Sequence, residues 1–247
     1  MNSQNQENSP SLQIFVCFHK QIYADIYKIN NAEQKYITYY GVKERDTTNV
    51  KNIKYEYELT QYNPTLQTNK YNEGSCIYHV YINNLYDNFD YVGFCQYDMI
   101  FSKNIFINIQ QNISNNPNTI FYLDFFKWAF YGGQTTIIKD YRNITSGLIS
   151  YNKFFNKNYT TYDLISNKMI ICNTYLISKK MYKKMMSWLI QYFIDDVDNA
   201  MCDDCGNKFD PGHMIEALTG MFLSLEISEG ATYMKLDVDH DHNYKIN

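Results

Sequence analysis

Near the middle of the chain, Asp90-Tyr-Val-Gly-Phe-Cys-Gln-Tyr-Asp98-Met-Ile-Phe101 joins an apolar run to a carboxylate. Tyr91 to Cys95 reads as a short buried strand that runs out of apolar residues at Gln96 and delivers Asp98 at its carboxyl end. In open α/β sheets ligands bind in the crevice beyond the carboxyl ends of strands. A carboxylate there, with the Gln96 amide two residues before it, has the oxygen chemistry of a Mg2+ or Mn2+ site shared with substrate phosphates. A strand followed by a solvated turn aspartate is the competing reading of the same residues. Two other groups carry metal-friendly side chains: Cys202-Asp-Asp-Cys205 with His213 downstream, and the tail Asp237-Val-Asp239-His240-Asp241-His242. Structural zinc wants four firm ligands, and the chain has one Cys-x-x-Cys, so Cys202 and Cys205 are expected reduced and metal-free. No Gly-Lys-Ser/Thr phosphate loop and no Gly-x-Ser-x-Gly elbow occur, which counts against a phosphotransferase or hydrolase built on Asp98.

The elements that would position these groups alternate between strand and helix. Leu12 to Phe18 is a nearly continuous apolar run, as a fully buried strand requires, and it ends in His19-Lys20. Ile22, Ile26 and Tyr27 then recur at helical spacing, and Ile37 to Val42 reads as a second strand. Residues 43–70 are polar and weakly periodic and read as a long loop. From Asn72 the pattern is helical, with Cys76, Ile77, Val80, Tyr81 and Leu85 on one face. Asn72 reads as its cap, and Glu73 falls in the first turn, where the helix dipole favours a carboxylate. Ile105 to Ile113 suggests a further helix, Thr119 to Asp124 a strand, and residues 127–147 a mobile loop over a site. Lys168 to Ile177 is strand-like, and Ser178 caps a helix whose Met181, Met185, Trp188, Leu189 and Tyr192 share a core face. Residues 195–211 form an acidic loop, His213 to Leu225 an apolar-faced helix and Ala231 to Val238 a last strand. The alternation gives an α/β sheet flanked by helices.

Composition sets the limits. At 247 residues with 45% apolar side chains the chain supports one large domain, taken as residues 12–247 after a disordered tail over residues 1–11. A net charge of −4 excludes a basic footprint for nucleic acid and a polybasic membrane signal. No run of about 18 apolar residues spans a membrane, and the polar N-terminus has no apolar signal core. With six cysteines, four of them (Cys17, Cys76, Cys95, Cys172) inside apolar runs, a cytoplasmic protein with free thiols is expected. Tyr, Asn, Lys and Ile are abundant throughout, so no single surface tyrosine counts as a binding platform on composition.

Four places in order resemble a bacterial family, the glycosyltransferase-like domain of capsule and lipopolysaccharide biosynthesis. That family opens with an apolar strand ending in His-Lys, as Phe15-Val-Cys-Phe-His19-Lys20 does here. It continues with a Ser/Asn-Glu helix start leading to Tyr-x-x-Trp/Tyr-Lys-Asn, matched by Tyr71-Asn72-Glu73 and Tyr78-His-Val-Tyr-Ile-Asn83-Asn84. Its Tyr-Ile-Gly-Leu-x-His-Tyr-Arg-Arg-Tyr-Phe aligns with Tyr91 to Phe101, and its Gly-x-x-x-Glu-Arg-Leu with Gly212-His-Met-Ile-Glu216-Ala-Leu218. The order holds over most of residues 12–225. Two departures matter: His-Tyr-Arg-Arg has become Gln96-Tyr97-Asp98-Met99, and Glu-Arg has become Glu216-Ala217. The arginine pair that would neutralise phosphate is missing, and a metal on Asp98 would supply that charge instead.

The resemblance implies a GT-A-like, mixed and mainly parallel sheet and a glycosyltransferase using a nucleotide-diphosphate sugar, with uridine or guanosine diphosphate as the leaving group. It implies a glycan or protein-linked acceptor and Mn2+ or Mg2+ as cofactor. His19, Lys20, Asn72, Glu73, Gln96 and Tyr97 would then contact the donor. Asp98, Gln96 and His240 would hold the metal, since in GT-A enzymes a C-terminal histidine completes the shell. Glu216, expected in the first turn of its helix after the Asp210-Pro-Gly212 turn, would take the acceptor proton, with Asp210 or His213 as alternatives. Dipole complementarity at a helix start explains Glu216 equally well. The altered motif keeps a second possibility open, a catalytically inactive glycosyltransferase-like binding module.

Overall fold

A computed structural model describes residues 10–19, 33–42, 52–68, 71–97, 99–122, 146–166, 173–194 and 211–240. Strand β1 (Leu12–Phe18) is buried at every position, which explains its unbroken apolar sequence. It pairs in parallel with β2 (Ile37–Gly41) on one side and β4 (Tyr91–Gln96) on the other. Beyond β2 lies β3 (Ile53–Tyr55), also parallel. Beyond β4 the direction changes: β7 (Tyr175–Ser178) runs antiparallel between β4 and β6 (Thr119–Tyr122), and β8 (Thr232–Lys235) closes the order β3-β2-β1-β4-β7-β6-β8. A separate antiparallel ladder joins β5 (Met99–Phe101) to β9 (Val238–His240). The mixed, mainly parallel sheet is the architecture the sequence implies.

Side chains alternate across β1 and fill two cores. Phe15 and Cys17 face one layer with Val92 and Phe94, covered by helices α1 (Glu73–Ile82), α5 (Lys179–Leu189) and α6 (Pro211–Ser228). Ile14, Val16 and Phe18 face the other, under helix α2 (Ile105–Asn115) and the β5–β9 ladder. Helices α3 (residues 146–155) and α4 (Thr161–Ser166) precede β7. Ser178 caps α5 as expected, accepting from Met181 N–H at 3.3 Å, and Met181, Met185, Trp188 and Leu189 are buried. Cys17, Cys76 and Cys95 are free, buried thiols, while Cys172, Cys202 and Cys205 fall outside the described residues. Ser11, at the border of the expected tail, donates through N–H and hydroxyl to Asp90 at 2.9 and 2.8 Å.

Three readings need correction. The loop read over residues 43–70 contains β3, a 3-10 turn at Glu56–Glu58 and a helical turn at Thr65–Thr68; each is too short to show a period. The strand read as ending at Ile177 runs from Tyr175 to Ser178, and the last strand read from Ala231 to Val238 is two strands in separate sheets. The helical spacing at Ile22, Ile26 and Tyr27 and the loop expected over residues 127–147, except its last two residues in α3, lie outside the described residues.

That misread loop is anchored by a buried polar cluster. Glu56, 1% exposed, accepts from Ser75 Oγ at 2.7 Å and from the Gln67 amide, and lies 3.4 Å from Nδ1 of the fully buried His79. Asn63 N–H donates to His79 Nε2 at 2.9 Å, which leaves the ring hydrogen on Nδ1, facing Glu56 and the Ser75 carbonyl. One side of the cluster belongs to residues 56–67 and the other to α1. Five polar groups, from Glu56, Asn63, Gln67, Ser75 and His79, thus lock the segment onto the helix.

Candidate functional site

Because β1, β2, β3 and β4 run parallel, their carboxyl ends share one edge of the sheet, and α1 begins at that edge. There Glu73 Oε1 lies 3.5 Å from Nδ1 of His19, the residue following β1. The buried Tyr97 ring, following β4, meets the His19 ring edge-on at 5.2 Å. Helix α6 arrives from the same side: a Cβ at Gly74 would stand 3.3 Å from the Ile215 side chain, a tight contact that shows how closely α1 and α6 approach there. The neighbours of that contact, Glu73 and Glu216, are therefore brought together. Burial raises the proton affinity of the Glu216 carboxyl above the usual value; His213 opposes this and the Glu73 charge adds to it.

Glu216 does not stand where its sequence placed it. Helix α6 starts at Pro211, which puts Glu216 in the second turn, with no acidic residue in the first. Proline is well suited to the first helical position, so the expected turn residues became helix. The dipole acts mainly within one turn, so dipole complementarity no longer accounts for a half-buried carboxyl there.

Asn72 also departs from expectation, because its side chain caps nothing. Its backbone has φ 47° and ψ −121°, and Gly74 N–H donates to Tyr71 O at 2.8 Å, a tight turn with Asn72 in the position that ordinarily demands glycine. A cap needs extended backbone. Such strain costs of order 1–3 kcal/mol and tends to persist at ligand sites. Asn72→Gly is therefore expected to raise stability by about 1 kcal/mol in urea unfolding. Unchanged stability would mean that the turn stores no strain.

Of the residues singled out by sequence, the fold brings His19, Glu73, Tyr97 and Glu216 into one constellation, with the half-buried Gln96 ending β4 beside it and the exposed His213 on α6. Lys20, Asp98 and Asp210 lie outside the described residues. The β5–β9 register pairs Met99 with His240, so the His240 main chain lies alongside the residue that follows position 98. Among the described residues no group of three or more His, Cys, Asp or Glu side chains forms a metal site. Gln96, Asp98 and His240 together offer oxygens and one imidazole, a donor set that suits Mn2+ and, less well, Mg2+. Sequence reasoning missed the Glu73–His19 pair, whose partners are distant in the chain; a histidine after a strand and a glutamate opening a helix were the available signals.

No family model and no curated protein matches the chain. Among solved structures the fold is similar to that of WbbM, a bifunctional glycosyltransferase in its apo form, with a TM-score of 0.64 and 17% identity. The match covers 96% of this chain and 47% of that one, so the chain spans about half the length of its structural neighbour. No helix among the described residues is long and apolar enough to cross a membrane. Sheet order, flanking helices and this neighbour together give the chain a glycosyltransferase-like fold of the GT-A type.

Proposed function

We propose that the chain transfers a sugar from a nucleotide-diphosphate sugar to a hydroxyl of a glycan or protein-linked acceptor. The observation that carries this reading is the meeting of His19, Glu73, Tyr97 and Glu216 from four separate elements at the carboxyl edge of a glycosyltransferase-like sheet. His19, held by Glu73, faces the donor together with Lys20, Asn72, Gln96 and Tyr97. Glu216 takes the proton of the acceptor hydroxyl as its oxygen attacks the anomeric carbon and the bond to the diphosphate breaks. Its proton affinity, raised by burial above the ordinary carboxyl value, makes it a stronger base than an exposed glutamate. Asp210 and His213 are the alternative bases. Asp98, Gln96 and His240 would hold Mn2+ or Mg2+, which when bound offsets the charge of the leaving diphosphate. Buried free thiols fit a reducing compartment, and the cytoplasm is the proposed location.

Thermal unfolding with uridine and guanosine diphosphate, each with Mn2+ or with EDTA, tests the reading. The expected result is stabilisation in Mn2+ only, roughly 2.7 kcal/mol at 100 times the dissociation constant. Equal binding in EDTA removes the metal. Asp98 and Met99 standing where the similar family has its arginine pair favours a second reading, an inactive binding module; nucleotide binding without turnover across a broad donor panel would select it.

A further inference from the structure

Across β4 from His19, the same edge carries an asparagine that the chemistry above does not use. Among the described strands of the large sheet, only β7 reaches this edge by its amino end. Its last rungs there join Tyr175 to Phe94 of β4 and to Tyr122 of β6. Asn173 lies two residues beyond them. The same register carried on sets it opposite Gln96, whose other neighbour is Cys17 of β1. Asn173 is 3% exposed, and its Oδ1 has no hydrogen-bond partner among the described residues. Buried polar groups are hydrogen-bonded as a rule, so an orphaned amide oxygen at a sheet edge needs a reason.

Strand alternation decides which way the amide is turned. Tyr175 belongs to the layer covered by α1, α5 and α6, where its ring meets that of Phe94 at 5.6 Å. Phe94 and Cys17 share that layer. Two residues on from Tyr175, Phe94 and Cys17 stand Asn173, Gln96 and His19, so these three fall on it as well. The contact of His19 with Glu73 of α1 shows that the alternation holds past the end of β1. Asn173 therefore shares its layer with His19 and with the helix that carries Glu216.

The chemistry of the side chain decides what it would receive. An amide has no charge to set against a phosphate, and two strand spacings, about 10 Å, separate β7 from β1. A sugar hydroxyl both donates and accepts, so it pairs with an amide in either orientation. We infer that Asn173 hydrogen-bonds a hydroxyl of the transferred sugar. This contact rests on the glycosyltransferase reading above and deepens it. A buried amide matched to one hydroxyl rejects a sugar that lacks it, because the amide is then left unpaired.

Calorimetric titration of the full chain in Mn2+ tests this with six probes. Two are uridine and guanosine diphosphate; four are uridine diphosphate glucose, galactose and N-acetylglucosamine, and guanosine diphosphate mannose. Wild type is expected to bind at least one of the four nucleotide sugars. Asn173→Leu, close in size and unable to hydrogen-bond, should weaken that nucleotide sugar about ten- to a hundredfold. The matching diphosphate should keep its affinity within about twofold. Should Asn173→Leu fail to fold, Asn173→Ala takes its place with the same expected split. Comparable losses for nucleotide sugar and diphosphate, or no loss for either, would overturn the sugar contact while leaving the transferase reading intact. A wild type that binds a diphosphate but none of the four nucleotide sugars would also overturn the contact. One that binds none of the six probes would overturn the transferase reading with it.

Discussion

Glu216→Gln is expected to lower turnover by ~10²–10⁴-fold while leaving nucleoside diphosphate affinity near wild type. The change keeps the shape of the side chain and removes only its capacity to take a proton. The same substitution has an opposite effect on stability. Burial raises the carboxyl above its usual 4.5, with His213 opposing and Glu73 adding. The folded protein therefore holds this proton more tightly than the unfolded chain does. Stability from that proton is fully present in acid and is lost as pH rises through the folded value. Glutamine does not ionise and escapes the loss, so the variant should unfold at a higher temperature than wild type at neutral pH, with the gap closing toward pH 4.5. Turnover near wild type would pass the role to Asp210 or His213. A variant less stable than wild type at neutral pH would contradict the burial account.

His79→Leu is expected to destabilise the fold by about 1–3 kcal/mol, because one oxygen of the buried Glu56 carboxyl loses the imidazole N–H that faces it. Asn63 N–H loses its acceptor as well. Removing both partners, Glu56→Leu with His79→Leu, should recover part of the loss, since replacing both members of a polar contact by apolar groups costs less than orphaning one. Urea unfolding of the two singles and the double measures the coupling directly. A single-variant cost under ~0.5 kcal/mol would show that this polar contact does not anchor the segment.

How much was legible depended on how local each signal is. Buried β1, the apolar face of α1 and the Ser178 cap are written in short stretches whose chemistry dictates one outcome. The direction of β7 is not: nothing in Tyr175–Ser178 distinguishes a parallel from an antiparallel neighbour. Neither is β3, a three-residue edge strand held by its register with β2 and by the Glu56 cluster rather than by a hydrophobic period. Asn72 carries the residue type of a cap, yet the turn it enters rotates it out of the capping conformation. For the site, residue types were readable but their grouping was not. The Gly74–Ile215 approach that joins Glu73 to Glu216 depends on two helices crossing, and no stretch of sequence encodes a crossing.

The β5–β9 ladder also orders events in time. On a ribosome Met99 emerges first, and its partner His240 follows more than half the chain later. At ~5–20 residues per second that interval is on the order of ten seconds. His19 and Glu73 lie on elements completed early, whereas Glu216 and β9 come late. A nascent chain would therefore place His19 and Glu73 first and complete the β5–β9 ladder last. A synthesis arrested between these points would leave His19 and Glu73 in place without the Glu216 that α6 brings to them.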